Sequence, residues 1–313
     1  MSRAFVFPGQ GSQAVGMGLS LAEAFGAARE VFEEVDEALG QKLSKLMFEG
    51  PAEELTLTEN AQPALMASSL AVLRVLENEG GIDLTKAASH VAGHSLGEYS
   101  ALAAVRSLTL ADAARLLKLR GQAMQAAVPV GAGAMAALIG VEFDDAVKIA
   151  EDAAGKDICA VANDNGGGQC VVSGDKAAVE RATKLAEERG VKRAIMLQVS
   201  APFHCVLMEP AAEIMETALS TADLRPPRIP VVANVTARAV SDPDTIRRLL
   251  VEQVTSMVRW RESIQFLASQ GIDTIVELGA GKVLSGLSRR IERSLKTHNA
   301  ETPEDIEALL KVL

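Results

Sequence analysis

The segment Gly93-His94-Ser95-Leu96-Gly97 constrains this chain more than any other. It lies between a short apolar run over 87–92, which reads as a buried strand, and a helical stretch predicted over 97–105. Gly-x-Ser-x-Gly at a strand-to-helix junction is the pattern of a nucleophile elbow. The turn is so tight that a side chain at either glycine would strike the neighbouring strand or helix. It exposes the serine hydroxyl, aims the following backbone N–H groups at one point, and sets a helix N-terminus beneath them where negative charge can develop. The bare pattern arises by chance in about one chain in ten of this length. The strand before it and the helix after it carry the specificity.

Around the elbow, short apolar runs alternate with helical patterns, which points to an α/β fold with a largely parallel sheet. Residues 4–7 and 87–92 read as strands, and 19–39 and 63–77 as helices. A further helix is capped by Thr109, with Asp112 three residues on, and is expected to stop near Gly121. The texture changes between 130 and 198. Strands at 135–139, 158–163, 169–173 and 193–199 and helices at 144–153 and 176–189 follow in the order βαββαβ, with Asn165-Gly166-Gly167-Gly168 as a hairpin turn. That order is the one of a ferredoxin-like unit. The last third returns to α/β, with strands at 229–234 and 274–278, helices at 243–254 and 263–270, and a basic helix ending near Lys296. The expected architecture is a large α/β-hydrolase-like domain with a parallel sheet, formed by 1–129 and 199–313. It is interrupted by a ferredoxin-like small domain over 130–198.

A serine hydroxyl needs a base before it can act as a nucleophile. The chain has four histidines. His90 lies within a strand and His298 in a polar tail. His94 adjoins the serine, but adjacent side chains diverge at an elbow, so a packing or orienting role suits it. His204, in Ser200-Ala201-Pro202-Phe203-His204, follows a strand where functional loops sit in such sheets. It is the candidate base, the other reading being a histidine satisfied within its own loop. Gln10 lies in Pro8-Gly9-Gln10-Gly11-Ser12-Gln13, after the first strand. Gly9-x-Gly11-x-x-Ala14 imitates a dinucleotide fingerprint, but no strand ending in an acid follows about twenty residues later. The glycines instead let the Gln10 backbone approach a ligand closely. Gly281-Lys282 lacks the upstream glycine and the Ser/Thr of a phosphate loop. Arg120 falls with Ala113, Leu117 and Met124 on one helix face, a place on the apolar stripe. A buried arginine calls for an anion. The competing reading is an arginine meeting the helix C-terminal dipole.

A net charge of −10 argues against nucleic acid as partner. Cys159, Cys170 and Cys205 show no metal-ligand spacing, and their odd number fits a reducing compartment. The first apolar run is too short for a signal peptide, and no apolar stretch is long enough for a bilayer. A soluble, cytoplasmic protein is expected.

Phe7-Pro8-Gly9-Gln10-Gly11-Ser12-Gln13, Gly93-His94-Ser95-Leu96-Gly97-Glu98, Arg120-Gly121-x-x-Met124 and Ala201-Pro202-Phe203-His204 together resemble the malonyl-CoA:acyl carrier protein transacylases of fatty-acid synthesis. Val251-Glu252-Gln253 and Glu277-x-Gly279-x-Gly281-Lys282 extend the match along the whole chain. The resemblance implies a two-step exchange, in which Ser95 takes the malonyl group from malonyl-CoA and passes it to the phosphopantetheine thiol of an acyl carrier protein. It implies His204 as base, oriented by the Gln253 backbone carbonyl, and an oxyanion hole at the backbone N–H groups of Gln10 and Leu96. Arg120 would bind the malonyl carboxylate, with His94 and Phe203 in support. The chain would need no cofactor or metal of its own, neither nucleic acid nor membrane, and is expected to act as a monomer. A serine hydrolase or thioesterase, a polyketide-pathway acyltransferase and a non-catalytic scaffold are the other readings. An acidic carrier is expected to dock on Arg289, Arg290, Arg293 and Lys296, with Lys192 and Arg193 as the runner-up pair.

Overall fold

The computed structural model describes residues 2–199 and 201–313; Met1 and Ser200, the first residue of the Ser200-Ala201-Pro202-Phe203-His204 segment, lie outside them. Ten strands form among the described residues: β1 (Arg3–Phe7), β2 (His90–Gly93), β3 (Gly133–Ile139), β4 (Cys159–Gly166), β5 (Gln169–Asp175), β6 (Arg193–Met196), β7 (Val231–Ala233), β8 (Arg238–Val240), β9 (Thr274–Leu278) and β10 (Lys296–Ala300). They make two sheets, ordered β10-β9-β1-β2-β7-β8 and β4-β5-β3-β6.

In the first sheet every pairing is parallel except β7 with β8. Its central strands are buried almost throughout, as continuous apolar runs covered on both faces must be. The register pairs Phe7 with Gly93. The loop after β1 and the elbow after β2 therefore leave the sheet side by side, at its carboxyl edge, which is where such sheets bind ligands. A Cβ at Gly93 would collide with the Gly97 carbonyl, and one at Gly97 with the Phe7 carbonyl. Both glycines of the motif are there because backbone occupies the space.

The second sheet has ferredoxin-like strand order. Period-two alternation gives it two working faces. Ala134, Ala136, Leu138, Cys170 and Val172 pack with helices Phe143–Ala154 and Lys176–Glu188 in a core of their own. Met135, Ala137 and Val171 point the other way and join the main core. The sheets are also stitched by backbone: Asp164 N–H donates to Val258 O (3.0 Å), Val258 N–H to Ala162 O (2.9 Å), and Arg261 pairs with the buried Asp164 carboxylate (2.7 Å). The fold is thus an α/β-hydrolase-like layer roofed by a ferredoxin-like sheet.

Several local expectations are corrected. The helix carrying Arg120 runs Leu110–Ala126, so Gly121 does not end it. A Cβ there would strike the Glu59 backbone of the helix Thr58–Asn78, and the glycine is a crossing point between two helices. Residues 19–39 form two helices, Leu19–Ala24 and Gly26–Leu39, parted by extended Phe25. The strands expected at 87–92, 193–199 and 229–234 are shorter, at β2, β6 and β7. The basic helix is Val283–Ile291; Lys296 opens the strand β10, which also holds His298, so neither lies in a polar tail or helix end.

Gly121→Ala tests the crossing. Alanine favours a helix by about 1 kcal/mol over glycine. Overpacking against backbone is expected to outweigh this and cost about 1–3 kcal/mol in chemical denaturation. A more stable variant would contradict the close approach.

Candidate active site

Ser95 and His204 meet although 109 residues separate them: Ser95 Oγ lies 2.7 Å from His204 Nε2. Both have left-handed backbone, with φ of 53° and 59°, which non-glycine residues adopt only where the surroundings hold them. His204 Nδ1 faces two carbonyl oxygens, Gln253 O at 2.9 Å and Ser256 O at 3.1 Å. Carbonyls only accept, so the proton sits on Nδ1 and the Nε2 lone pair faces the serine. Burial, followed by the positive charge of Arg120, holds the His204 pKa down at about 3. The imidazole is therefore neutral near neutral pH, with its Nε2 lone pair free to accept a proton.

Arg120 lies at the same point. It is 1% exposed, and its Nη2 donates to Ser95 Oγ (3.2 Å) and Gln253 Oε1 (2.9 Å), while Nη1 donates to Gln62 Oε1 (2.8 Å). Tyr99 stacks beneath it at 5.8 Å. Among the described residues it has no ion pair, and its Nε has no acceptor. The expected apolar stripe is confirmed, since Ala113, Leu117 and Met124 are buried with it. The dipole reading fails, because Arg120 lies well inside the helix rather than in its last turn.

Gln10 and Leu96 flank Ser95 in a cavity of about 400 Å³, also lined by His94, Arg120, Phe203, Met135 and Asn165. Among the described residues neither the Gln10 nor the Leu96 backbone N–H has a protein acceptor. A Cβ at Gly9 would press on His94 O at 2.8 Å, so glycine is what lets the Gln10 loop lie against the elbow. His94 does diverge from the serine. Its Nε2 bonds Asn165 Oδ1 of the roofing sheet (2.9 Å), and its ring packs against Trp260.

Four polar residues beyond those expected complete the site. Asn234, at the end of β7, accepts from Ser95 N–H (2.7 Å) and donates to Gly93 O (2.6 Å), clamping the elbow from both sides. Gln62 holds Arg120 and donates to Thr58, whose hydroxyl bonds Gln10 Oε1 (2.9 Å). Gln62 precedes Leu65 by three residues, so a polar residue on an apolar stripe was the available signal, as for Arg120. Asn165 was legible only as a turn residue.

Of the first basic group, Arg289 and Arg290 are exposed in the last turn of their helix, while Arg293 and Lys296 follow it. The second basic group is close by. Arg290 packs on Gly167 of the β4–β5 turn, Gly168 of that turn lies against Gly140, and Gly140 lies against Lys192.

The arrangement suits acyl transfer, and the comparisons agree. A family model described as an acyl transferase domain matches residues 4–305. A malonyl CoA-acyl carrier protein transacylase of Bacillus subtilis is 47% identical, over 99% of this chain and 96% of that protein. The crystal structure of an acyl-carrier-protein S-malonyltransferase from Bartonella henselae is 56% identical and superposes with a TM-score of 0.97, covering 100% of this chain and 99% of that one. A holo complex of a type II polyketide synthase acyl-carrier protein with its malonyl-transacylase matches at a TM-score of 0.96 and 40% identity, again over 100% of both chains. With a serine elbow, a neutral histidine and a buried arginine meeting on this fold, the chain belongs to the acyl transferase family, among the malonyl CoA-acyl carrier protein transacylases.

Proposed function

We propose that this protein transfers a malonyl group from malonyl-CoA to the phosphopantetheine thiol of an acyl carrier protein in fatty-acid synthesis, through an acyl-enzyme on Ser95. The observation that carries the reading is Arg120, a buried cation 3.2 Å from the Ser95 hydroxyl that forms no ion pair among the described residues. A malonyl thioester brings a carboxylate to that position, with planar geometry that a guanidinium matches. Ser95 Oγ attacks the thioester carbonyl and gives its proton to His204 Nε2. The tetrahedral oxyanion is stabilised by the Gln10 and Leu96 N–H groups and by the helix N-terminus below them. The carbon–sulfur bond then breaks, and coenzyme A leaves with the proton from His204. The carrier thiol reverses the sequence, losing its proton to His204 and attacking the serine ester. Malonyl-CoA and the carrier are substrate and partner; the chain itself supplies every group used. Its three buried cysteines stay unpaired, which fits a cytoplasmic enzyme, and we take it to act as a monomer. The polyketide reading keeps the same chemistry and changes only the carrier, as in the complex found by structural comparison.

Intact-mass measurement after mixing with malonyl-CoA is expected to show a stable malonyl adduct that the carrier removes, and none on Ser95→Ala. Rapid release of free malonate without carrier would mean a hydrolase, and no adduct a non-catalytic scaffold.

Arg290 lies against the β4–β5 turn and Lys192 approaches the same turn through Gly140, so we place carrier docking across both basic groups. Steering by such charges acts on association and fades with salt. Reversing Arg290 and Lys192 together should raise the carrier KM about tenfold at low salt and less at high salt. An unchanged KM at low salt places docking elsewhere.

A further inference from the structure

Glu98 is a carboxylate 2% exposed, one turn beyond the nucleophile, that the transfer chemistry does not use. Its Oε2 accepts from Asn234 N–H (2.9 Å) and from Gln253 Nε2 (2.8 Å). The other end of the Gln253 carboxamide, Oε1, accepts from Arg120 Nη2 at 2.9 Å. Chemistry fixes that orientation, because a guanidinium only donates and a carboxylate only accepts. The carboxamide therefore stands as a spacer between a buried cation and a buried anion. A direct ion pair would consume the donors of the guanidinium. The spacer compensates the charge from a distance and leaves Arg120 Nε without an acceptor among the described residues.

We infer that Glu98 is the remote counter-charge of Arg120, coupled to it through Gln253, and that its ionisation sets how tightly the pocket holds an acyl carboxylate. Glu98 is thus a positioning and specificity residue that never touches substrate. The inference rests on the reading of Arg120 as the receiver of the malonyl carboxylate. Once that carboxylate arrives, one cation faces two anions. At an effective dielectric constant near 20, two like charges sharing one pocket repel enough to change affinity by at least on the order of tenfold.

Burial pushes Glu98 up to about 7, against its hydrogen bonds from Asn234 and Gln253 and the charge of Arg120. Its charge therefore changes within the working range. The groups acting on it are Arg120 from the helix Leu110–Ala126 and Tyr99 from its own helix; the loop after β7 and the helix Pro243–Thr255 contribute Asn234 and Gln253, which do not titrate. Burial raises Tyr99 to about 12 and holds His204 down at about 3, so neither gains or loses charge near neutrality; burial lowers His94 as well. Protonated Glu98 repels nothing, so malonyl binds tighter on the acid side, and KM climbs as pH rises through the Glu98 titration.

The test uses the malonyl and acetyl thioesters of N-acetylcysteamine, which carry no phosphate to titrate. For the wild-type enzyme, the malonyl KM should rise about tenfold between about pH 6 and about pH 8.5, with kcat flat and the acetyl KM unmoved. Glu98→Gln keeps an amide oxygen for both hydrogen bonds and removes the charge. Its malonyl KM should stay at the low, acid-side value throughout. A flat malonyl KM in the wild-type enzyme overturns the inference, as does a Glu98→Gln enzyme that retains the rise. Should the variant fail to fold, the wild-type profile alone decides. Absence of malonyl transfer by the wild-type enzyme at every pH overturns the functional reading itself, and this inference with it.

Discussion

Arg120 keeps its charge with a side chain 1% exposed, and the surrounding polar groups are arranged to make that tolerable. Burying an unpaired cation costs several kcal/mol even after relaxation. Here the cost is offset by the side-chain oxygens of Gln62 and Gln253, by the face of Tyr99, and by Glu98 beyond Gln253. Those same residues fix everything else. Gln62 leads through Thr58 to Gln10, and Gln253 leads by its backbone to His204 and by its side chain to Ser95 O. One cation thereby ties the Ser95 hydroxyl, His204 and the Gln10 loop into a single hydrogen-bonded body, in which a displacement of any member moves the others.

Topology explains why residues so distant in sequence can share that body. Parallel strands deliver their carboxyl ends to one edge of the sheet, so the loops after β1, β2 and β7 bring Gln10, Ser95 and Asn234 together. The second sheet closes the cavity from above, and its turn is fixed to the first by Asn165 on His94 and Asp164 on Arg261. The roof is thus fastened at the end nearest Ser95.

Local signals made the catalytic centre legible: the elbow needs its glycines, and an arginine on an apolar stripe stands out at helical spacing. The βαββαβ order was legible too, because each of its elements has its own period and turn chemistry. Gly121 misled, since a helical glycine at a crossing and one at a helix end look alike until the partner helix is placed. The strand β10 was missed because Lys296-Thr297-His298-Asn299-Ala300 is an edge strand whose polar composition follows from its exposure. Asn234 and Glu98 join the elbow and Gln253 across 139 and 155 residues of chain, which no spacing rule records.

The central claim is that Arg120 reads the acyl carboxylate rather than supporting the fold. Rates of acyl transfer from malonyl-CoA and acetyl-CoA should be compared at saturating carrier for wild-type enzyme, Arg120→Ala and Arg120→Lys. Removing one partner of a buried charge pair costs ~2–5 kcal/mol. Arg120→Ala is therefore expected to lose at least ~30-fold in kcat/KM for malonyl-CoA. Acetyl-CoA should lose far less or gain, and lysine should rescue only in part, because an ammonium lacks the planar two-point contact. An equal loss for both thioesters in Arg120→Ala would contradict the account.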